Sequence, residues 1–204
     1  MTRSGGLRLV LASSSAGRLG VLRSAGIEPE VVVSGVDETT EPGLDTAAIV
    51  RSLAERKAMA VAARRPDALV IGCDSLLDLD GTAYGKPSSP AEAIARWRRM
   101  SGRDGTLFTG HCLIRPGTGQ GLGRVGATLV SFGRPTDDEL AAYVASGEPL
   151  RVAGAFTLDG LGAPFIERID GDPSNVIGLS LPLLRRMLAE LGIAITELWD
   201  NAGP

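Results

Sequence analysis

Two acidic and two basic side chains are the strongest candidates for chemistry in this chain. Glu38 lies in a polar loop, and Asp74 comes directly after the apolar run Ala68–Gly72. A carboxylate can hold Mg²⁺ or take a proton from water. Lys57 and Lys86 are the only lysines beside 19 arginines. An ammonium is a compact point charge, so both sites can require lysine where arginine's planar fork does not fit.

Each of these residues also has an ordinary structural explanation. Asp74 could form a turn, and Glu38 could be a surface acid. The shortage of lysine could reflect a codon bias towards arginine. Lys57 lies within the apolar stripe of a predicted helix, where a lysine either extends its ammonium to the rim or meets an anion in a cleft. Lys86 sits in a stiff Gly-Lys-Pro turn.

A phosphate seat is a further candidate where the first predicted strand meets the first helix. Ser13, Ser15 and Arg18 stand at this junction. The junction exposes backbone N–H groups and the positive end of the helix dipole, and hydroxyls and a guanidinium add further donors for phosphate. Serines before a helix commonly act as simple caps, so capping and phosphate binding both remain open here.

Several other features favour structural roles. His111 is the only histidine, and without a G-x-S-x-G elbow we interpret it as a structural residue in or just before a strand. Cys73 and Cys112 lie in apolar segments and are expected to be buried free thiols. The Gly-rich segment 116–123 lacks a P-loop pattern and precedes a strand, which favours a hairpin tip over a phosphate cradle.

The charge balance and hydropathy exclude some classes of protein. The chain of 204 residues has 21 Lys and Arg against 24 Asp and Glu, a formal net charge of −3. It therefore lacks the basic surplus of a non-specific nucleic-acid binder. No apolar run approaches the roughly 18–20 residues of a membrane span, and the apolar stretch near the start is too short for a signal peptide. We expect a cytoplasmic protein that contacts neither nucleic acid nor membrane.

Strands and helices are predicted to alternate, which indicates an α/β fold with a long mixed sheet and helices on both sides. Asp80-Gly81 signals a hairpin between short strands, and no repeat or linker divides residues 1–204, so we expect one domain. The predicted strands are 7–12, 30–33, 68–72, 105–115, 124–132 and 164–169. The predicted helices are 16–25, 45 or 46 to about 65, 88 or 89 to about 100, 137–146 and 179–191.

Two acids, two lysines, an arginine and serines together suit a nucleotide phosphate chain with Mg²⁺. Eight motifs also follow one another along nearly the whole chain: Leu11–Arg18, Val36–Glu38, Lys57–Ala58, Gly72–Ser75, Gly85–Pro87, Ser101–Arg103 with Thr109–Gly110, Ala153–Ala155 and Gly171–Leu179. This order resembles the Maf family, which is similar in fold to inosine-triphosphatase-type enzymes. The resemblance implies a single elongated mixed sheet, with two lobes around a central cleft.

The resemblance also implies an activity and a set of roles. Maf proteins hydrolyse nucleoside triphosphates, which can be non-standard or modified, to the monophosphate and pyrophosphate with Mg²⁺ or Mn²⁺. By this likeness Asp74 is the general base, and Glu38 and Asp74 hold the metal. The phosphate-binding residues would be Lys57, Lys86, Arg18, Ser13 and Ser15. The likeness also implies a homodimer. The alternative is a nucleotide-binding regulator of septum formation with little turnover.

Three positions that the family links to base preference match neither of its known specificity sets. They are Gly17, Ser75 and Asp159. Gly17 replaces the first arginine of the family's S-P-R-R motif and opens space. An ionised Asp159 only accepts hydrogen bonds, whereas glutamine both donates and accepts. Asp159 therefore favours a base that presents an amino group, such as cytosine or adenine.

Overall fold

The computed structural model describes residues 7–39, 43–117, 119 and 121–199, and within these ranges the chain forms one open mixed sheet of seven strands. The strands are β1 Leu9–Leu11, β2 Glu30–Val31, β3 Leu69–Leu79, β4 Thr82–Tyr84, β5 Asp104–Ile114, β6 Gly121–Phe132 and β7 Ile166–Asp170. Their order is β2-β1-β3-β5-β6-β7, and β4 pairs with β3. β2, β1 and β3 are parallel, whereas the other pairings are antiparallel.

Six α-helices flank this sheet in the described part of the chain. They are α1 Ala16–Ser24, α2 Thr46–Ala62, α3 Pro90–Met100, α4 Asp137–Ala145, α5 Pro173–Ile177 and α6 Leu181–Glu190. Short 3₁₀ turns occupy Pro149–Arg151, Ala153–Ala155, Ala163–Phe165 and Ile195–Leu198. Within the same ranges, no helix has the length and apolar character that crossing a membrane requires.

Side-chain caps fix the starts of the first four helices. Ser15, Asp45, Ser89 and Thr136 each accept a hydrogen bond from a backbone N–H in the first turn of α1, α2, α3 and α4. Such a cap satisfies one of the N–H groups that a helix leaves unpaired at its start. The element order and the sheet pairing confirm the predicted α/β class and the mixed sheet.

Three apolar cores lie along the sheet, and β3 contributes to each of them; the third packs α2 against β1, β3 and β5. The first core packs α1 and α6 against Ile71 and Cys73, in the first half of β3. The second core surrounds Trp97 of α3 and takes Leu77 and Leu79 from the second half of β3. Strands β3 and β5 thus connect two lobes, and their middle residues lie between the first two cores.

A gap in the pairing of β3 creates the cleft. β5 covers one edge of β3 from Val70 to Asp78. On the other edge, β1 pairs only as far as Ile71 and β4 pairs only from Leu77. The edge between them, Gly72–Leu76, is left without a strand partner, because the chain turns away after β1 into α1.

Several predicted boundaries are wrong. The strand predicted over 68–72 continues to Leu79, so Asp74 lies in the middle of a strand and not at its end. The long antiparallel pairing with β5 extends the strand, and a local pattern does not reveal that pairing. The second strand covers only Glu30–Val31, and the last begins at Ile166. Helix α5 was not predicted, because its five residues show too little periodicity.

The two predicted hairpins are confirmed. Asp80 and Gly81 have positive φ angles of 54° and 76° and join β3 to β4. β5 and β6 pair as far as Ile114 and Gly121, so the Gly-rich segment contains the connection between the strands and the start of β6. Residues 118 and 120 of that segment, and 40–42 of the polar loop before α2, lie outside the described residues.

Candidate active site

The gap beside β3 opens into a cleft of about 920 Å³. All nine residues that the sequence singled out for the site line it: Ser13, Ser15, Arg18, Glu38, Lys57, Asp74, Ser75, Lys86 and Asp159. They come from both lobes and from segments far apart in the sequence. The residues that motif order grouped together therefore lie close together in the folded chain. Their hydrogen bonds and ion pairs indicate what each of them can do.

Lys57 joins the two acids at the base of the cleft. Its Nζ atom lies 2.7 Å from Glu38 Oε1 and 2.5 Å from Asp74 Oδ1. The side chains of Lys57 and Asp74 are 9% and 12% exposed, whereas that of Glu38 is 65% exposed. Of the two possibilities for Lys57, the structure thus shows a lysine that meets anions in a cleft. Glu38 marks the side of the cluster that faces solvent.

Two glycines allow α2 to carry Lys57 this close to the sheet. A Cβ atom at Gly72 would lie 2.4 Å from the carbonyl oxygen of Ala54, and one at Gly110 would lie 2.1 Å from that of Val50. Both distances are well inside van der Waals contact, so the helix backbone rests directly on β3 and β5. This packing buries the stem of Lys57 and leaves its ammonium beside Asp74.

The electrostatics of the cluster favour anionic Glu38. The hydrogen bond from Lys57 holds the pKa of Glu38 below its usual range, and the fields of Lys57, Lys86 and Arg18 act in the same direction. Partial burial opposes this shift, but it does not overcome it. A carboxylate with a lowered pKa can bind a metal ion in competition with protons at neutral pH.

Arg18 is held by three separate partners. Its Nε donates to the carbonyl oxygen of Gly178 at 2.9 Å, Nη1 donates to Ser13 Oγ at 3.0 Å and Nη2 donates to Ser75 Oγ at 3.1 Å. A guanidinium has five N–H donors, so two remain for a ligand. Arg18 is only 8% exposed, which limits its position further.

The two serines of the junction have different tasks. Ser15 caps α1 by accepting from the N–H of Arg18 at 3.3 Å. Ser13 accepts from the N–H of Ser15 at 3.2 Å as well as from Arg18. Capping and cleft lining therefore coexist at this junction, and the sequence could not have separated them.

Lys86 and Asp159 lie on the lobe opposite Arg18, and both are exposed. The turn that carries Lys86 is fixed by its neighbour Gly85, whose carbonyl oxygen accepts from Arg96 and from the N–H of Gly154. The loop around Asp159 is held by Glu148, which accepts from Thr157 and from the N–H groups of Leu161 and Gly162. The two charged side chains thus stand on anchored turns.

Comparison with known proteins shows the family of this chain. A family model described as "Maf-like protein" matches residues 8–191. The chain belongs to the Maf-like protein family. It is 63% identical over 198 residues to a protein of Streptomyces coelicolor named "Nucleoside triphosphate pyrophosphatase", with 96% of each chain covered. A protein with the same name in Streptomyces avermitilis is 60% identical, with 94% of each chain covered. One in Salinispora tropica is 55% identical over 96% of this chain and 88% of its own length.

The carboxylates of this Maf-like chain suit a hard divalent ion. Glu38 and Asp74 converge on one cation, the Lys57 ammonium, and oxygen ligands are those that Mg²⁺ and Mn²⁺ prefer. In the ranges the structure describes, no group of three or more His, Cys, Asp or Glu side chains could hold a metal ion. Mg²⁺ commonly binds through one or two carboxylates and takes its other ligands from substrate phosphates and water. The donor set fits that pattern.

His111 and the two cysteines have structural roles. The buried His111 ring accepts from the N–H of Ser180 through Nε2, so Nδ1 carries the proton and donates to the carbonyl oxygen of Thr109. Burial lowers the pKa of His111 to about 4. Cys73 and Cys112 are buried free thiols, as expected, and burial raises the pKa of each to about 12. These thiols are inert at neutral pH.

Sequence reasoning missed residues that act from behind the cleft wall. Thr109 is fully buried, yet its hydroxyl bonds Ser75, and the backbone of Gly178 anchors Arg18. The sequence contained a usable signal for both, because Thr109 and Gly178 belong to motifs that resemble those of the family. The link of Thr109 to Ser75 depends on the pairing of β3 with β5, which places the two residues opposite each other.

Proposed function

We propose that this Maf-like chain is a nucleoside triphosphate pyrophosphatase, which hydrolyses its substrate to the monophosphate and pyrophosphate. The observation that carries this proposal is the buried Lys57–Asp74 pair, with Glu38 beside it, in a cleft that also holds Arg18 and Lys86. Relatives at 52–63% identity carry the name of this activity. Binding a chain of phosphates requires several cations, and hydrolysis requires a base for water.

Asp74 is the residue that we assign as general base. Lys57 bonds its Oδ1 atom and so fixes the orientation of the carboxylate, which leaves Oδ2 as the oxygen that takes the proton from water. A base held in position by a second group is the arrangement that proton transfer requires. Burial of the pair between two apolar cores keeps bulk water from screening these charges.

The cationic groups are assigned to the phosphates. Lys57, Lys86 and the two remaining N–H groups of Arg18 lie around the same cleft, and the start of α1 adds backbone donors. Glu38 and Asp74 would hold Mg²⁺ or Mn²⁺. When bound, the ion supplies neutralisation of phosphate charge.

The proposal is tested with purified protein and a panel of common and methylated nucleoside triphosphates in Mg²⁺. We expect release of pyrophosphate, and we expect the variant Asp74→Asn to lose at least a thousandfold in rate while it still binds nucleotide. Asp170→Asn is the matched control, because Asp170 is exposed at the end of β7 and pairs with Arg168. Nucleotide binding without pyrophosphate release in the wild type would instead indicate a regulator with little turnover.

Two accompanying proposals concern the cellular location and the oligomeric state of the enzyme. We propose that it acts in the cytoplasm, where nucleoside triphosphates are available, and that it forms a homodimer. Sedimentation at micromolar concentration tests the second proposal, because a monomeric species there would contradict it.

A further inference from the structure

Thr109 lies behind the wall of the cleft and does not line it. It is 0% exposed in the middle of β5, and its hydroxyl has two neighbours. Thr109 Oγ1 lies 2.9 Å from the carbonyl oxygen of Asn175 and 2.9 Å from Ser75 Oγ. Water does not compete for the hydrogen bonds of a fully buried hydroxyl. The two contacts of Thr109 therefore form a stable link between the site and α5.

The directions of these hydrogen bonds follow from the atoms alone. A carbonyl oxygen can only accept, so Thr109 donates its single proton to Asn175. The bond between the two hydroxyls must then be donated by Ser75. With its own proton used, Ser75 can only accept on its remaining side, where Nη2 of Arg18 donates to it at 3.1 Å. The chain of bonds therefore has one direction, from Arg18 to Asn175.

The far end of this chain is fixed. Asn175 is 1% exposed, and its Nδ2 donates to the carbonyl oxygen of Leu107 and to Thr128 Oγ1, both at 3.2 Å. The side chain ties α5 to β5 and β6. The carbonyl that receives the Thr109 proton consequently cannot turn away, and the direction of the bonds is maintained.

We propose that Thr109 is a positioning residue for substrate binding, which sets the hydroxyl of Ser75 as an acceptor and thereby holds the guanidinium of Arg18 towards the cleft. The proposal rests on the proposed function in one respect, since it takes the ligand of Arg18 to be a nucleotide phosphate. It has a second consequence for the site. Ser75 offers a ligand its free lone pair and never a proton, so it faces a hydrogen-bond donor of the substrate.

The main test compares Thr109→Val, which removes the hydroxyl at nearly constant shape, with Thr109→Ser, which keeps it. We expect Thr109→Val to raise KM for the best-cleaved triphosphate at least fivefold, with a smaller fall in kcat, and Thr109→Ser to stay within twofold of the wild type. Thr46→Val is the control, because Thr46 is also buried and its hydroxyl donates to Asp78, without touching Ser75 or Asn175. It should leave KM unchanged.

A double-mutant cycle separates positioning from plain stability. In the Ser75→Ala background the chain of bonds is already broken, so adding Thr109→Val should raise KM by less than twofold further. Full additivity of the two effects would overturn the proposal. An unchanged KM in Thr109→Val, with a loss of stability like that of Thr46→Val, would overturn it as well.

A readout without nucleotide keeps this inference separate from the proposed function. In ¹⁵N NMR spectra of the arginine side chains, with Arg18→Lys for assignment, restrained rotation should give resolved Nη–H signals for Arg18 in the wild type. Thr109→Val and Ser75→Ala should both collapse these signals, and Thr46→Val should not. Signals that persist in both variants would overturn the proposal even if the enzyme is active. If the signals collapse in these variants as described but the wild-type protein shows no pyrophosphatase activity, only the proposed function is contradicted.

Discussion

Replacing Lys57 by methionine removes the charge at the centre of the site and nearly preserves the length of the side chain. Asp74 then remains as a buried carboxylate, with its ion pair broken and Glu38 nearby. Removing one partner of a buried ion pair costs about 3–5 kcal/mol. Glu38 is largely exposed, so we expect the lower end, about 3 kcal/mol in the free energy of unfolding. For a chain of this size that corresponds to a fall in Tm of roughly 6–12 °C.

Urea unfolding at neutral pH, followed by circular dichroism, measures this loss. The double variant Lys57→Met with Asp74→Asn is the informative control, because it contains no uncompensated buried charge. It should regain at least about half of the lost free energy, since the penalty arises from the charge and not from the cavity. Mg²⁺ should also stabilise Lys57→Met more than the wild type, because the divalent ion replaces the missing cation between the two carboxylates.

Lys57→Arg tests the choice of lysine itself. The charge is kept, but the planar fork must fit where α2 rests directly on Gly72 and Gly110. We expect a fall in kcat/KM well beyond tenfold, more than about 1.4 kcal/mol in transition-state stabilisation. A loss below about 1 kcal/mol for Lys57→Met, together with wild-type rates for Lys57→Arg, would refute the role given to this residue.

Four further results are expected. Lys86→Arg should also lower activity more than tenfold, measured by pyrophosphate release. Gly110→Ala should destabilise the fold by about 1–3 kcal/mol in urea unfolding, because its Cβ overlaps the carbonyl of Val50. Asp159→Asn should weaken a preference for bases with an amino group, and a clear dTTP and UTP preference of the wild type would refute that assignment. The pKa of His111 is lowered to about 4, so the unfolded state protonates first, and the free energy of unfolding should fall by on the order of 3 kcal/mol from about pH 6.5 to pH 4.

The residues that the sequence singled out lie in one cleft, whereas the strand that carries Asp74 was predicted with the wrong end. Local signals located the starts of α1 and α2 and the Asp80-Gly81 turn, because capping and turn formation depend on neighbouring residues. Asp74 was placed at a strand end, because the continuation of β3 depends on pairing with β5, about 35 residues later. Non-local pairing of this kind leaves little trace in a single sequence.

The same limit applies to the partners within the site. Composition and motif order indicated that Lys57 matters, and the helical pattern placed it within an apolar stripe. Neither could show that its ammonium lies between Glu38 and Asp74. The connection from Arg18 through Ser75 to Thr109 joins three elements of secondary structure, so it becomes visible only in the folded chain.

The most direct test of the central claim is a ³¹P NMR experiment in which wild-type protein and Asp74→Asn are incubated with the preferred triphosphate and Mg²⁺. The account predicts a nucleoside monophosphate and pyrophosphate as the only products of the wild type, and intact but bound triphosphate with Asp74→Asn. Release of inorganic phosphate and a nucleoside diphosphate by the wild type would contradict the account, as would unchanged turnover in Asp74→Asn.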